Sequence, residues 1–281
     1  MAWTEITRLQ HDRGGLRYTS DLTGGEWGVV SPHLPAPGRR GRPRVTDLRD
    51  VLNALLYMAS TGCQWRLLPK DFPPFTTVQG YFYSWSRSGL LATISHALVM
   101  AAREEEGREA SPSAGIIDSQ TVKTTESGGP KGYDAGKKIA GRKRHIITDT
   151  CGHLVGVVVH TADIQDRDGA PLVLASIRSL YPWLRHVFAD AGYAGDKLKD
   201  ALAGKGDWTI EIVKRPAEAE GFVVVARRWV VERTFAWLGR CRRLAKDFEA
   251  SIESAVAWIW IAHIRLLARR LARARSEAAE F

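Results

Sequence analysis

Cysteine is scarce. Cys63, Cys151 and Cys241 are the only three in 281 residues. Their number is odd, their spacings are wide and no CxxC occurs, so neither a disulfide framework nor a zinc knuckle is indicated. Reduced, buried thiols in a cytosolic protein are the expectation. No run of about 18 apolar residues exists, which removes a transmembrane helix. The opening MAWTEITRLQHD lacks an apolar h-region, so no signal peptide is expected. No internal repeat is visible. Membrane partners drop out, and a cytoplasmic location is the expectation.

What is present is a core and a positive charge. The hydrophobic fraction is 44% with ten tryptophans, which fits a folded chain of one large domain or two smaller ones. The net charge is +9. Residues 1–111 hold 13 Lys/Arg against 11 Asp/Glu, and residues 112–281 hold 27 against 20. A basic excess favours nucleic acid or an anionic surface as partner, although a soluble protein of high pI shows the same balance.

The chain divides by pattern. Residues 1–20 are polar and read as an arm. Residues 21–103 read as a small all-α, helix-turn-helix-like domain. Asp21-Leu22-Thr23 caps a first helix. Thr46 starts a stronger one, with Leu48, Val51, Leu52, Leu55 and Leu56 at helical spacing and Gly62 as its stop. Thr76 or Thr77 caps a third helix holding Val78, Tyr81, Phe82 and Trp85. Gly89 ends it, and a fourth runs from 90 to 103. Between the first two lies GRRGRPR, whose Arg39, Arg40, Arg42 and Arg44 form a basic loop suited to a phosphate backbone. Residues 104–113 read as a linker.

From 114 the period changes to that of strands, so residues 114–281 read as an α/β domain with C-terminal helices. Residues 114–118 form a strand. The segment 127–144 is rich in glycine and lysine and reads as a loop carrying Lys137, Lys138, Arg142, Lys143 and Arg144. A hairpin turns at Thr150-Cys151-Gly152. The acids of ADIQDRDG, from Ala162 to Gly169, read as caps for a helix over 170–180. Residues 186–190 and 208–213 are strands, 196–202 is a helix, and two long helices span 226–245 and 252–273. Trp258 and Trp260 of the last helix are expected to pack internally.

Three carboxylates stand out. Asp118 and Asp190 each end a short apolar run, and ligands gather beyond the carboxyl ends of strands. Glu232 sits on a helix, off the apolar stripe of Val230, Thr234, Trp237, Leu238, Cys241 and Leu244. It shares its side with Arg228, Ala236 and Gly239. Between 227 and 246 it is the only acid among seven basic residues, including Arg228, Arg233 and Arg240. Lys214 extends the same positive field. Magnesium prefers oxygen ligands, and carboxylates from separate elements can hold two such ions about 4 Å apart for phosphoryl transfer. Three unrelated surface acids would give the same spacing.

Several words of the chain resemble the DDE transposases of bacterial insertion sequences, specifically the insertion sequence 5 family. They are Ile116-Ile117-Asp118-Ser119-Gln120, Gly141-Arg142-Lys143-Arg144-His145, the stretch from Ala162 to Asp168, Phe188-Ala189-Asp190-Ala191-Gly192-Tyr193, and Arg228-Trp229-Val230-Val231-Glu232-Arg233-Thr234-Phe235. Gly62-Cys63-Gln64-Trp65-Arg66 and Leu68-Pro69-Lys70-Asp71 match that family's helical leader. The resemblance implies an RNase H-like mixed sheet flanked by helices. It implies Asp118, Asp190 and Glu232 as catalytic, metal-binding residues for two Mg²⁺ ions, with Mn²⁺ as a substitute. It also implies double-stranded DNA as partner, at terminal inverted repeats and at the target, a dimer on DNA and a place with the bacterial nucleoid. Arg228 and Glu232 fit the wider Tyr-Arg-Glu-Lys pattern, whereas Val225 and Gly239 stand at its ends, with Arg240 next to Gly239. A hydrolytic nuclease of the same fold and a non-catalytic DNA-binding repressor are the competing readings.

Overall fold

The computed structural model describes residues 12–38, 41, 43–213 and 227–279. Among them, four helices come first. α1 (Gly24–Val30) opens on a capping box between Thr23 and Glu26. α2 (Leu48–Thr61) is capped by Asp47 and stopped by Gly62, whose φ of 73° suits a residue without Cβ. α3 (Phe75–Arg87) follows Pro74, and neither Thr76 nor Thr77 caps it. Gly89 then turns the chain into α4 (Leu90–Glu105).

The sheet begins with β1 (Ala114–Lys123) and continues through β2 (Gly132–Asp134), β3 (Ile139–Asp149) and β4 (Leu154–Thr161). α5 (Asp166–Ile177), β5 (His186–Ala189), α6 (Asp196–Leu202) and β6 (Thr209–Ile212) follow. β1 lies at the centre, antiparallel to β3 and parallel to β5, and β6 extends the parallel side. β4 and β2 share the far edge of β3. This mixed sheet, flanked by helices and preceded by a helical region, has the RNase H-like arrangement.

Two helices close the chain. α7 (Arg228–Gly239) lies against β1 and β3. It stops short of the expected 245. Cys241 adopts an extended ψ of 108°, and a 3₁₀ turn, Arg242–Leu244, takes over. α8 (Ile252–Ala279) packs against α1, α2, α3 and α4 as well as β4. Its Trp258 is buried and stacks on Phe82 with ring centroids 4.7 Å apart. The helical region and the sheet therefore share one continuous core.

The word from Gly62 to Arg66 serves this union. Cys63 O accepts from Arg243 Nη1 at 2.9 Å, and the Arg243 guanidinium lies 4.5 Å over the Trp258 ring. Arg243 also pairs with Glu249 at 2.6 Å. A buried cation needs such partners, because desolvation otherwise outweighs its packing.

The segment 127–144 departs from the expected loop. Its second half is β3, and the strand period sends alternate side chains to opposite faces. Arg142 is fully buried. It donates to Pro130 O (2.8 Å) and Ala250 O (3.2 Å) and pairs with Asp247 at 3.2 Å. Arg144, on the same face, donates to Leu244 O at 2.7 Å. Lys143 points the other way, to Asp166 at 2.9 Å. These three cations anchor protein to protein and are not presented to an external phosphate.

Replacing Arg142 with Met should therefore strand Asp247 without its counter-charge. A urea melt should show a loss of about 3–5 kcal/mol. A loss under about 1 kcal/mol would place Arg142 at the surface instead.

Candidate active site

The pairing of β1 with β5 builds the site. Ala114 faces His186 and Ile116 faces Phe188. The same register, continued two residues along each chain, brings Asp118 and Asp190 level, Asp190 just past the end of β5 and Asp118 midway along β1, which runs on beside β3 to Lys123 instead of ending at Asp118 as expected. The two acids are separated along the chain by the same interval as the paired Ile116 and Phe188. Asp190 follows the last residue of β5 and caps a 3₁₀ turn, accepting from Gly192 N at 2.8 Å. Asp118 Oδ1 accepts from Ser119 N at 2.7 Å.

Glu232 arrives on α7. It is exposed, while Val230, Val231, Thr234 and Leu238 of the same helix are buried against the sheet. Arg228, one turn earlier, links the acids. Its Nη2 lies 3.4 Å from Glu232 Oε1 and 3.8 Å from Asp190 Oδ2.

The electrostatics follow from this crowding. Burial pushes the Asp118 carboxyl up to about 6, and neighbouring Asp190 adds to the rise. The Ser119 N–H, Arg228 and Lys137 oppose it without cancelling it. Carboxylates that repel one another in a partly buried pocket favour a hard cation among them. The donor set, three carboxylates with no sulfur or imidazole, fits a divalent metal of the magnesium class. The three do not converge on one point within 4.8 Å, since Glu106, Cys151 and His153 are the one such His/Cys/Asp/Glu group among the described residues.

That second group is a clasp, not part of this site. Arg270 Nη1 lies 2.7 Å from His153 Nε2 and 3.1 Å from Glu106 Oε1, so a guanidinium already fills it. Asp149 holds the other ring nitrogen of His153 at 2.9 Å and pairs with Arg103 at 2.5 Å. Contacts with His153 and Arg270 hold Glu106 down to about 2, against the pull of burial.

Behind Asp118 runs a buried chain of aromatic donors. His160 Nδ1 reaches the Thr161 carbonyl at 2.9 Å and must carry the proton there. His160 Nε2 then accepts from His145 Nδ1 (3.3 Å), and His145 Nε2 accepts from the Tyr193 hydroxyl (2.6 Å). The network fixes both tautomers. Burial lowers both histidines, which keeps them neutral. Gly169 makes the room, because a Cβ there would stand 2.4 Å from His145 Nδ1.

Of the predicted DNA-contacting residues, Lys137, Lys138, Arg240 and Arg44 are exposed. Arg228 is half-buried between the acids. Arg233 is half-buried, with its guanidinium 4.3 Å from the Trp229 ring and 4.4 Å from the Trp237 ring, and it donates to Cys151 O. Arg142, Lys143 and Arg144 are interior, as described above. Arg39, Arg40, Arg42 and Lys214 lie outside the described residues. Sequence reasoning missed Ser119, Asp166, His145, His160 and Tyr193. The signals were the family-like words that hold Ser119, His145 and Tyr193, and ADIQDRDG, which holds more acids than a helix cap requires.

Residues 109–267 match the family described as "Transposase DDE domain", and residues 22–95 match "Putative transposase of IS4/5 family". The chain belongs to the DDE transposase family. Its two matches cover the sheet with α7 and the leading helices, so both halves of the fold carry the family's pattern. A "Putative transposase for insertion sequence element IS402" from Burkholderia cepacia is 36% identical over 141 residues, 48% of this chain and 64% of that protein. "Uncharacterized protein y4sN" from Sinorhizobium fredii is 35% identical over 83 residues, 29% of this chain and 62% of that one. The chain thus spans less than two thirds of the length of each. No solved structure matches. No described helix is long and apolar enough to cross a membrane.

A raised carboxyl stabilises the fold only where it is protonated. For Asp118 that contribution is complete below about 4 and is lost as pH rises through about 6. Asp118→Asn should therefore melt higher than the parent at pH 7 without metal, by up to about 3 kcal/mol. The gap should close by roughly pH 4. Calorimetry across that range checks the sign.

Proposed function

We propose that the protein is a transposase that cuts DNA at the inverted-repeat ends of an insertion sequence and joins the freed 3′-OH to target DNA. The observation that supports this reading is the β1–β5 register, which continued by two residues sets Asp118 beside Asp190, with Glu232 linked to Asp190 through Arg228. Asp118, Asp190 and Glu232 are the residues that would hold two Mg²⁺ ions, with Mn²⁺ as a substitute. Bound there, the ions would supply charge neutralisation at the attacking and leaving oxygens.

The chain's own groups do the rest. Asp118 must give up its proton to act as a ligand, so metal loading weakens as pH falls below its pKa of about 6. Arg228 already contacts two of the acids and offers a fork-shaped donor set that suits a phosphate. Lys137, Lys138 and Arg240, with Arg44 from the helical region, are exposed and would contact the phosphates of duplex DNA. Arg39, Arg40, Arg42 and Lys214 belong to the same proposal. Bringing two element ends together calls for a dimer on DNA, and the substrate places the protein with the chromosome.

The test is incubation of the protein with inverted-repeat duplex and Mg²⁺. Joined products are expected. Cut ends without joining would make it a nuclease, and a gel shift without chemistry a repressor. Asp190→Asn should abolish chemistry and leave binding in place. If roughly six phosphates are neutralised, affinity should fall about a thousandfold between 50 and 200 mM salt.

A further inference from the structure

A fourth carboxylate reaches the floor of this site. Asp166 is the first residue of α5, where an acid would ordinarily serve the helix dipole. Its bonds point elsewhere. Oδ1 accepts from the Ser119 hydroxyl at 2.7 Å and lies 2.9 Å from Lys143 Nζ. Gln165 occupies the cap position of α5 and makes no side-chain bond there. Asp168, two residues on, pairs with Lys197 at 2.7 Å.

Ser119 is the hinge of the arrangement. Its hydroxyl is held by Asp166, while its backbone N–H donates to Asp118 Oδ1 at 2.7 Å. One buried residue thus joins the first acid of the site to Asp166. The other oxygen of Asp166 turns towards the second acid. Asp190 Oδ1 and Asp166 Oδ2 stand 3.0 and 3.8 Å from the point a Cβ on Gly192 would occupy. Lys143 is held in turn by Ile164 O at 2.8 Å and by Asp134 at 3.7 Å, so the cation that faces Asp166 cannot swing away to solvent.

We infer that Asp166 is a positioning residue of the active site, orienting Asp118 through the Ser119 hydroxyl towards a divalent cation. The inference rests on the proposed function. Asp166 itself is no ligand in this scheme. A carboxylate ligand oriented by a hydrogen-bonded neighbour loses less freedom when it binds metal, which is how outer-shell partners raise affinity. Lys143 keeps Asp166 in place as an acceptor, and the Ser119 hydroxyl carries the constraint to Asp118.

The experiment uses the full chain. Mn²⁺ binding to the protein alone is followed by the EPR signal of free Mn²⁺, and strand joining is titrated with Mg²⁺. Asp166→Asn and Ser119→Ala should raise the half-saturating metal concentration about 10- to 100-fold in both measurements. DNA gel-shift affinity should stay unchanged. Ser119→Thr, which keeps the hydroxyl, should restore metal binding to near the parent. Should Asp166→Asn fail to fold, Ser119→Ala decides alone, because it leaves Lys143 paired. Parental metal binding in Ser119→Ala, alongside lost binding in Asp190→Asn, would overturn the inference and leave the proposed function standing. Parental metal binding and joining in Asp190→Asn would overturn both.

Discussion

The parallel contact between β1 and β5 is the constraint on which the rest depends. It is short, three residue pairs from Ala114 to Ile116, and it starts where Arg185 N and His186 N both donate to Ser113 O. A slip of one residue would turn every side chain of β5 to the opposite face. Asp190 would then leave Asp118, and Val187 and Phe188 would trade a buried face for a different one. Because both faces of this part of the sheet are covered, the apolar runs before each acid are continuous, as strands buried on both sides require. The same burial that fixes the register raises the Asp118 carboxyl, so the geometry and the electrostatics of the site have one origin.

Cations inside the protein form the second layer of organisation. β3 sends Arg142 and Arg144 to the turn that follows α7, and Lys143 and His145 to the side of α5. One strand therefore braces the C-terminal helices with one face and the floor of the site with the other. Arg103 and Arg243 do comparable work at Asp149 and Glu249. Such pairs contribute little net stability compared with apolar packing, but removing either partner leaves a charge in the interior. Placement, not strength, is what they supply.

Much of this was legible from residue order. The strand end before Asp190, the hairpin at Gly152, the stop at Gly62 and the outward placement of Glu232 all follow from local pattern, whereas the expected end at Asp118 does not hold, because pairing with β3 carries β1 on to Lys123. The segment 127–144 was not legible in the same way. Five glycines and six cations read as a solvated loop, yet Gly141 lies so close to Val122 O that a Cβ would meet it at 1.9 Å. Its neighbours are arginines whose partners, Asp247, Ala250 and Leu244, lie a hundred or more residues away. Nothing local marks such pairings. Asp166 was hidden for the same reason. An acid at a helix start has an ordinary explanation, and only the fold shows Ser119 and Lys143 on its oxygen. The break after Gly239 also escaped, because helical propensity continues through Arg240 while the tertiary contact of Arg243 with Cys63 demands a turn.

α8 couples the two ends of the described chain. Its inner face supplies Trp258, Ile261, Ala268 and Leu271 to a core whose other walls are α1, α2, α3 and α4. During synthesis, those leading helices emerge first and have no complete surface to fold against. Their apolar sides stay open until the ribosome has released residues near 271. Assembly of the helical region is thus postponed until α8 has been made, and a nascent chain stalled within α7 would present sticky, unfinished helices to whatever lies nearby.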